Sequence, residues 1–316
     1  MKLKRSEESQ AGRRRLTGRT ERRGSQMGLP TWGAFLFGGT FVAAGTTIIL
    51  AGTGVIHVKP SSVHAPYWIL TVFGAMFAAA GFMVWAMAVK QFRSRRRREQ
   101  AASLHAGEPA LDDYDWDPRG FQGPRWKRAA AALGRCLFLS LFLSAFNFWA
   151  FWANGPWLVK GVVTLFDLIL LAAWWEAFIR LGRALKFGGS RIVFNPFPCR
   201  LSGPIAIRWR PAKGIVQTSK GSFTLRCVEE WFESHGTGKS RTTTMIHEEI
   251  WRQTWVLDEA RMFRSGEEIV LQFDQPAGAL PTCLSADRPV FWEFEVKLDL
   301  PGLDFEETYL VPVYGP

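Results

Sequence analysis

The sequence predicts a mixed fold class: four transmembrane helices, arranged as two hairpins, followed by a soluble all-β domain of the β-sandwich type. Three observations predict it. Four apolar stretches of spanning length lie between residues 31 and 187, and arginine clusters border them. After residue 187 the hydrophobic period changes from that of a helix to that of a strand. The formal charge of +11 is concentrated beside the apolar stretches, which is typical of a membrane protein.

The first two apolar stretches cover residues 31–50 and 67–89. About 20 apolar residues, rising about 1.5 Å each, cross the roughly 30 Å hydrocarbon core of a bilayer. Both stretches carry small residues four positions apart, a spacing typical of helices whose backbones come close. These small residues are Gly39 and Ala43 in the first stretch, and Gly74 and Ala78 in the second. We therefore expect close packing between these two helices.

The third and fourth apolar stretches, 130–153 and 157–181, are separated only by Asn154, Gly155 and Pro156. These residue types favour a turn, and so short a connection requires neighbouring antiparallel helices. The sequence therefore predicts a second transmembrane hairpin.

Lysine and arginine counts predict the orientation. The first 30 residues, the 90–128 loop and the segment after Arg180 are rich in them, whereas the 52–66 loop has only Lys59 and the 154–156 turn has none. By the positive-inside rule both termini are cytoplasmic. The first 30 residues lack the pattern of a cleaved signal peptide, so we expect the first apolar stretch to be an anchor.

The predicted division is a basic tail at 1–30, helices 1 and 2 at 31–90, a cytoplasmic loop at 91–129, helices 3 and 4 at 130–187, and a cytoplasmic β-sandwich at 188–316.

Short segments rich in β-branched and aromatic residues follow residue 187, separated by Gly, Pro, Asn and Ser. In the clearest of them, Trp292, Phe294, Val296 and Leu298 alternate with Glu293, Glu295, Lys297 and Asp299. We expect one face of that strand to be buried and the other to be in water.

Two segments are predicted to be loops. Residues 233–247, mostly Gly and short polar residues, are predicted to form a mobile hairpin tip. The acidic and aromatic part of the 99–128 loop is predicted to form an irregular surface loop.

The tail contains the strand segment Trp292-Glu-Phe-Glu-Val. It is followed by Pro301-Gly-Leu-Asp-Phe and then by Val311-Pro-Val. This pattern resembles the C-terminal domain of bacterial inner-membrane proteins of unknown function that have a few transmembrane helices and end in a W-x-F/L-E-V…P-G-x-D-F…V-P-V signature. About 50 residues are more distantly similar to a lobe of arrestin-like sandwiches. The first resemblance implies a bacterial inner-membrane location. The second implies protein binding through loops and sheet edges.

Ionisable groups inside a bilayer are the main candidates for function, because burying them there is expensive. In the fourth stretch Lys160, Thr164 and Asp167 fall on one helical stripe, and the 154–156 turn brings Asp167 level with Ser144 of the third stretch. Ser144, or Ser140 one turn away, is the expected hydrogen-bond partner of Asp167. Two interpretations stay open: an ion or proton path through Asp167, or a structural polar contact between helices.

Two other groups of charges border the spans. Arg135 comes level with Glu176 across the second hairpin, which predicts an ion pair between them. Four consecutive arginines directly follow the second span on the predicted cytoplasmic side: Arg95, Arg96, Arg97 and Arg98. They act as an orientation signal, or bind anionic lipid head groups such as those of cardiolipin, or do both.

Several function classes are not indicated by the sequence. No nucleophile with a nearby base, phosphate loop or dinucleotide motif is present, so we expect neither an enzyme nor a cofactor. The four cysteines are scattered singly and no histidine has ligand spacing, so we expect no metal site. The basic clusters lie beside spans and carry no docking motif, so we expect no nucleic-acid partner.

Two hypotheses of function remain. In the first, the protein is a scaffold or adaptor whose cytoplasmic β-sandwich binds a partner protein. In the second, it is a small transporter or channel subunit that depends on Asp167. Assembly into a homo-oligomer through the faces rich in Gly and Ala is compatible with the second hypothesis.

Overall fold

The computed structural model describes residues 3–5, 11–19, 22–24, 31–57, 66–104, 109–218, 220–236, 242–276 and 278–315. The chain forms two compact units. The helical unit comprises Met27–Arg96 and Arg128–Arg180, and the β unit comprises Met1–Gln26, Arg97–Lys127 and Leu181–Pro316. The β unit therefore takes in the N-terminal segment and the central loop as well as the predicted 188–316.

Four helices are long and apolar enough to cross a membrane, with apolar segments Trp32–Gly52, Tyr67–Arg93, Arg125–Trp152 and Trp157–Phe187. The described helices are α1 Thr31–Gly52, α2 Tyr67–Leu104, the short α3 Pro109–Asp113, α4 Arg125–Asn147 and α5 Trp157–Phe187. A π-helical turn, Phe148–Trp152, ends α4, and Asn154 adopts a left-handed conformation in the predicted turn before α5. Large apolar side chains on these helices are exposed, among them Leu168, Ile169 and Leu171. Such a surface suits a lipid environment.

Helices α1 and α2 pack closely, as the small residues predicted. On α2 the contact includes the predicted Gly74 and Ala78, but on α1 it uses other glycines. A Cβ added at Gly45 would lie 2.5 Å from the carbonyl oxygen of Gly74, and one added at Gly81 would lie 2.6 Å from that of Gly38. By contrast, a Cβ at Gly39 would meet only the Trp85 ring at 3.8 Å. The contact thus uses glycines seven residues apart, and the predicted pairing of Gly39 with Ala43 was wrong. These glycine faces are occupied within one chain, so they are not free to join two copies.

The segment between the second and third spans is not an irregular surface loop. Helix α2 continues through the arginine cluster to Leu104, because Arg, Gln, Glu and Ala all favour helix. Further on, the Asp113 carboxylate is buried and accepts hydrogen bonds from the backbone N–H groups of Leu284 and Ser285 at 2.8 and 2.7 Å, and from the Tyr314 hydroxyl at 2.8 Å. Trp116 also donates to that hydroxyl. The loop is therefore part of the β unit.

The β unit contains a six-stranded sheet and a four-stranded sheet, both antiparallel. The large sheet has the order β1-β9-β8-β12-β13, with β2 also paired to β9, and the smaller has the order β11-β6-β4-β3. Two short pairs, β10 with β7 and β14 with β5, complete the described strands. The strands are β1 Leu3–Arg5, β2 Ala11–Arg15, β3 Phe121–Gln122, β4 Arg191–Val193, β5 Cys199–Arg200, β6 Ile205–Arg210, β7 Ile215–Thr218, β8 Gly221–His235, β9 Thr242–Leu257, β10 Arg261–Phe263, β11 Ile269–Phe273, β12 Val290–Leu298, β13 Phe305–Val311 and β14 Val313–Tyr314.

An aromatic core joins the two sheets. Trp209 on β6 packs edge-on against Phe223 of β8 and Phe305 of β13, with ring centroids 5.9 and 5.5 Å apart. Its indole N–H donates to the buried Tyr309 hydroxyl at 3.0 Å, so the polar edge of the ring is satisfied. The same hydroxyl lies 2.5 Å from that of Ser190. Burial raises the pKa of Tyr309, which stays a neutral hydrogen-bonding group.

One expectation about the strands was wrong, and another was right only in part. The face of β12 that carries Glu293 and Glu295 is not in water: these side chains belong to residues that are 0% and 9% exposed. The segment 233–247 lies in a hairpin, as predicted, since β8 and β9 pair antiparallel, but most of it is regular strand, because β8 extends to His235 and β9 begins at Thr242. Residues 237–241, at the predicted hairpin tip, lie outside the described residues.

Candidate functional site

The first candidate is the surroundings of Asp167 in the helical unit. Asn147, at the last position of α4, donates from Nδ2 to Asp167 Oδ1 at 3.0 Å. The predicted partners do not make this contact: Ser144 donates to the Leu141 carbonyl at 2.6 Å, and the Ser140 hydroxyl accepts from the Trp174 indole at 3.0 Å. The sequence thus predicted the level of the contact on α4 correctly to within one turn, but assigned the wrong residue.

A cavity of about 520 Å³ adjoins Asp167. Its lining combines the carboxylate, the Asn147 amide and two serine hydroxyls with aromatic rings from the π-helical turn and from the start of α2. The lining residues are Trp68, Ser140, Leu143, Ser144, Asn147, Phe148, Phe151, Trp152, Asp167 and Leu170. π-helical turns are frequent at functional sites, since they displace side chains from the regular helical positions. The cavity offers a carboxyl group and other hydrogen-bonding groups inside the span.

The structure does not bring the other polar residues of α5 into this cavity. The Thr164 hydroxyl donates to the Lys160 carbonyl one turn earlier, at 2.8 Å, and neither residue lines the cavity. The ion pair predicted between Arg135 and Glu176 is also replaced. Glu176 pairs with Arg180 in its own helix at 2.5 Å, and Arg135 donates from Nε to the Ala131 carbonyl at 3.4 Å. Each of these charges is satisfied locally, because the i, i+4 geometry brings a partner close without a second helix.

The four consecutive arginines lie on α2, in the part beyond the apolar segment. Arg96 is exposed, and its guanidinium lies 4.6 Å from the centre of the Phe92 ring. The side chains of Arg95, Arg97 and Arg98 lie outside what the structure describes. Binding of these residues to anionic lipid stays a prediction.

The second candidate is the outer face of the six-stranded sheet, where buried charges form a network. Arg226 on β8 donates from Nε to Glu293 and from Nη2 to Glu295, the latter at 2.8 Å. Burial alone would raise the pKa of Glu293, but the positive charges of Arg226 and Arg19 outweigh it and hold that pKa below its ordinary value. Glu249, on β9, has no such balance: burial raises its pKa despite the nearby arginines. The face therefore carries buried negative charge that needs cationic partners.

The N-terminal segment supplies those partners. Strands β1 and β2 both add antiparallel to the edge of β9, with Lys4 opposite Val256 and Arg14 opposite Glu249. Its arginine side chains then pair with carboxylates of the β unit. These ion pairs are Arg5 with Asp274 at 2.6 Å, Arg13 with Glu248 at 3.3 Å, Arg15 with Glu233 at 3.4 Å and Arg19 with Glu293 at 2.5 Å. We call residues 3–24 the basic arm. Arginines of the first 30 residues, which were counted above as an orientation signal, thus have protein partners.

Glu230 marks the end of this interface. Its carboxylate accepts from the backbone N–H groups of Arg23 and Gly24 at 2.9 and 3.3 Å, and lies 3.1 Å from His247 Nε2. Burial tends to raise the pKa of Glu230, but these hydrogen bonds outweigh it and lower that pKa. Fixed backbone donors recognise a carboxylate without regard to the side chains of the arm. Only the charge complementarity between the arginine-rich start and the glutamates of β8, β9 and β12 could have indicated this interface in the sequence.

Metal and thiol chemistry find little support in the part of the chain that the structure describes. Among those residues, no group of three or more His, Cys, Asp or Glu side chains is placed to hold a metal ion. Burial raises the pKa of the Cys199 thiol to about 11 and that of the Cys227 thiol to about 12, so neither forms a thiolate readily.

Comparisons with known proteins add a distant likeness. No family model and no curated protein matches the chain. A solved structure that matches is the crystal structure of Spo0M, a sporulation control protein from Bacillus subtilis, at 14% sequence identity and a TM-score of 0.22. The match covers 40% of this chain and 47% of that chain, so it spans about half the length of Spo0M. At this TM-score the match carries no argument about fold or function. The chain has the architecture of a membrane protein: four apolar helices and an all-β region of antiparallel sheets.

Proposed function

We propose that this protein is a scaffold or adaptor of a bacterial inner membrane. Its β unit, on the cytoplasmic side, binds an extended basic segment of a partner protein along the edge of β9. The observation that carries the proposal is the docking of the basic arm, which adds strands to β9 and pairs its arginines with glutamates. Strand addition at a sheet edge is a recurring way of binding peptides: backbone hydrogen bonds give affinity and side-chain contacts give specificity.

The contacts of the arm resemble an interface more than a core. Two of its ion pairs involve side chains that are well exposed on the arm side, 68% for Arg13 and 60% for Arg15, whereas Arg19, which pairs with the buried Glu293, is 25% exposed. Each exposed pair contributes about 0.2–1 kcal/mol. An occupant held by several weak pairs can be exchanged for another of the same chemistry. In this proposal the arm is an internal occupant of the partner site, and the partner competes with it.

Competition within one chain gives a direct test. A fluorescently labelled peptide of residues 3–24 is titrated into the full-length protein in detergent, and binding is followed by anisotropy. Replacing Arg13 and Arg15 by Gln weakens the internal arm, so we expect the peptide to bind more tightly than to the unchanged protein. In the Arg13→Gln, Arg15→Gln background, whose own arm no longer makes these pairs, replacing Glu233 and Glu248 by Gln removes two ion pairs of the peptide alone, so we expect binding about three- to tenfold weaker. Glu306→Gln, on the far strand β13, is the matched control and leaves the affinity unchanged.

A second peptide distinguishes two interpretations: that the β9 edge is a binding site for partner proteins, and that the arm is a fixed part of the fold. It has the same length and arginines at the same positions, on an otherwise unrelated strand-forming sequence. Binding of this peptide with the same dependence on Glu233 and Glu248 supports the proposal. If only the natural sequence binds, the arm is a permanent part of the fold and the proposal is wrong.

We propose the transporter or channel subunit as a second candidate, because of the cavity at Asp167. A carboxylate beside a cavity of about 520 Å³ within a span offers a binding site for a proton or a small cation. The protein is reconstituted in liposomes, and proton and potassium flux are measured with Asp167→Asn and with Glu176→Gln as the matched control. We expect flux that Asp167→Asn abolishes and Glu176→Gln preserves. Absence of flux in the unchanged protein leaves the contact with Asn147 as a purely structural one.

A further inference from the structure

A second cavity, of about 370 Å³, lies on the outer face of the four-stranded sheet of the β unit. Gln122 on β3, Arg191 on β4 and Arg210 on β6 stand directly opposite one another in register. Directly opposed residues share a face of the sheet and have Cβ atoms about 5 Å apart. The floor of the cavity is therefore a cross-strand row of one amide and two guanidinium groups. The lining residues are Gln122, Gly189, Arg191, Arg210, Pro211, Ala212, Ser265 and Gly266.

The charges of this row do not cancel. Glu268 accepts from both Arg208 and Arg210, and their positive charges lower its pKa. Arg191 is exposed and, within the described part of the chain, makes neither a hydrogen bond nor an ion pair through its side chain. Like charges directly opposite each other in a sheet are destabilising, so Arg191 beside Arg210 has an energetic cost. An anion between the two guanidinium groups would remove that cost.

The backbone keeps the cavity open beside this row. A Cβ added at Gly189 would lie 2.5 Å from Gln122 Nε2, so any side chain there would displace the amide. Gly188 has a left-handed φ of 68° and ends α5, its N–H donating to the Ala184 carbonyl at 2.9 Å. The cavity wall thus begins two residues after Phe187, the last residue of an apolar helix of spanning length.

We infer that this cavity is a phosphate-binding site, with Arg191 and Arg210 as the charged ligands and Gln122 as a hydrogen-bond donor. Guanidinium groups match the oxygens of a phosphate in charge and in planar geometry. Two sources have this chemistry: the phosphodiester of an anionic lipid head group and inorganic phosphate. The position of Gly189 directly after a spanning helix favours the lipid. This site is distinct from the β9 edge, so its failure would leave the proposed function standing.

The test uses full-length protein and compares Arg191→Glu with Arg200→Glu. A glutamate at position 191 faces Arg210 and pairs with it, so the fold is preserved. Arg200 is an exposed arginine of β5 outside the cavity and is the matched control. Protein in nanodiscs of phosphatidylcholine with one-fifth phosphatidylglycerol is extracted, and retained phosphatidylglycerol is counted by native mass spectrometry. In parallel, inorganic phosphate is titrated into protein in a neutral detergent and followed by ³¹P NMR.

We expect the unchanged protein and Arg200→Glu to retain phosphatidylglycerol, and Arg191→Glu to retain about fivefold less or none. Inorganic phosphate binding that Arg191→Glu alone abolishes, without selective lipid retention, assigns the site to free phosphate. Equal losses in both variants indicate only a general effect of surface charge and overturn the inference. Absence of binding of both ligands to the unchanged protein also overturns it. If Arg191→Glu does not fold, Arg191→Gln replaces it with the same criteria.

Discussion

Glu293 shows how strongly one residue can depend on a distant part of the chain. It is fully buried on β12, between Arg226 of β8 and Arg19 of the basic arm. Desolvating a carboxylate is unfavourable, and two cations compensate for it here. The charge on Glu293 thus couples the sheet to the arm.

We expect Glu293→Gln to lower the free energy of unfolding by about 3 kcal/mol, because Arg226 loses a buried partner. The measurement is denaturant unfolding of full-length protein in detergent, followed by tryptophan fluorescence. Glu306→Gln removes an exposed pair with Lys297, of 3.2 Å, and should change stability by less than about 1 kcal/mol. Equal effects of the two substitutions would show that the buried network contributes no more than a surface pair.

The same carboxylates predict a pH dependence of the arm. The pKa values of Glu293 and Glu230 lie below their ordinary value of 4.5, so their stabilisation is complete above pH 4.5 and is lost as the pH falls through the lowered values. Glu249 has a raised pKa and the opposite sign: its contribution favours folding at low pH and is lost as the pH rises above 4.5. Arg14 of the arm lies opposite Glu249, but burial outweighs that charge and gives Glu249 the opposite sign, so the loss of the arm at low pH should follow Glu293 and Glu230.

Amide hydrogen exchange of residues 11–19, corrected for its intrinsic pH dependence, measures how the docking of the arm on β9 depends on pH. Protection should be constant from pH 7 to about 4.5 and fall below it, while strand β6 stays protected as the internal control. Protection of the arm that persists to pH 3 would contradict the assigned role of these carboxylates.

At the scale of elements, the contact between α1 and α2 depends on glycines rather than on apolar surface. In a bilayer, lipid tails are as apolar as leucine, so helices associate through close backbone packing. Gly45 and Gly74 meet where neither can carry a side chain.

Gly45→Ala should therefore separate the helices, whereas Gly39→Ala should not. The new Cβ at position 45 would lie 2.5 Å from a backbone carbonyl oxygen, and we expect a loss of about 3 kcal/mol or more. At position 39 the Cβ makes an ordinary 3.8 Å contact, and alanine favours helix by about 0.5–1 kcal/mol. Thermal unfolding in detergent distinguishes them, and a Gly45→Ala protein as stable as the Gly39→Ala protein would contradict the packing described.

Local patterns predicted the elements whose stability depends on neighbours in the sequence. The apolar stretches predicted four long helices, and short segments rich in β-branched and aromatic residues predicted strands after residue 187, the clearest where β12 lies. The arm could not be predicted in this way, because the sequence AGRRR of β2 has no apolar alternation and becomes a strand only against β9. For the same reason alternation placed Glu293 in water: its partner Arg226 lies on a neighbouring strand, 67 positions earlier, and its partner Arg19 lies in the basic arm.

In the site at Asp167, helix periodicity and the tight turn predicted the level of the contact but not the side chain that makes it. The π-helical turn after Asn147 changes the direction of side chains at the end of α4, and periodicity assumes a regular helix. Ser144 therefore hydrogen-bonds within its own helix, and Asn147 meets the carboxylate.

At the scale of the whole molecule, the chain passes from one unit to the other four times. The β unit is assembled from segments that lie before, between and after the apolar helices. These segments can fold together only if residues 1–26, 97–127 and 181–316 all lie on one side of the bilayer. An even number of spans places them so, and the β unit therefore supports the four-span arrangement independently of the arginine counts.

The cysteines allow the side of the membrane to be measured. Cys136, Cys199 and Cys227 are buried, whereas Cys283 is exposed on the β unit. If that unit is cytoplasmic, a membrane-impermeant maleimide should label Cys283 in inside-out vesicles and not in intact spheroplasts. Cys283→Ser should abolish the labelling. His57→Cys, in the exposed loop after α1 and in a Cys283→Ser background, should label with the opposite pattern. Labelling of Cys283 from outside intact spheroplasts would reverse the predicted orientation and place the β9 edge on the outer side of the membrane.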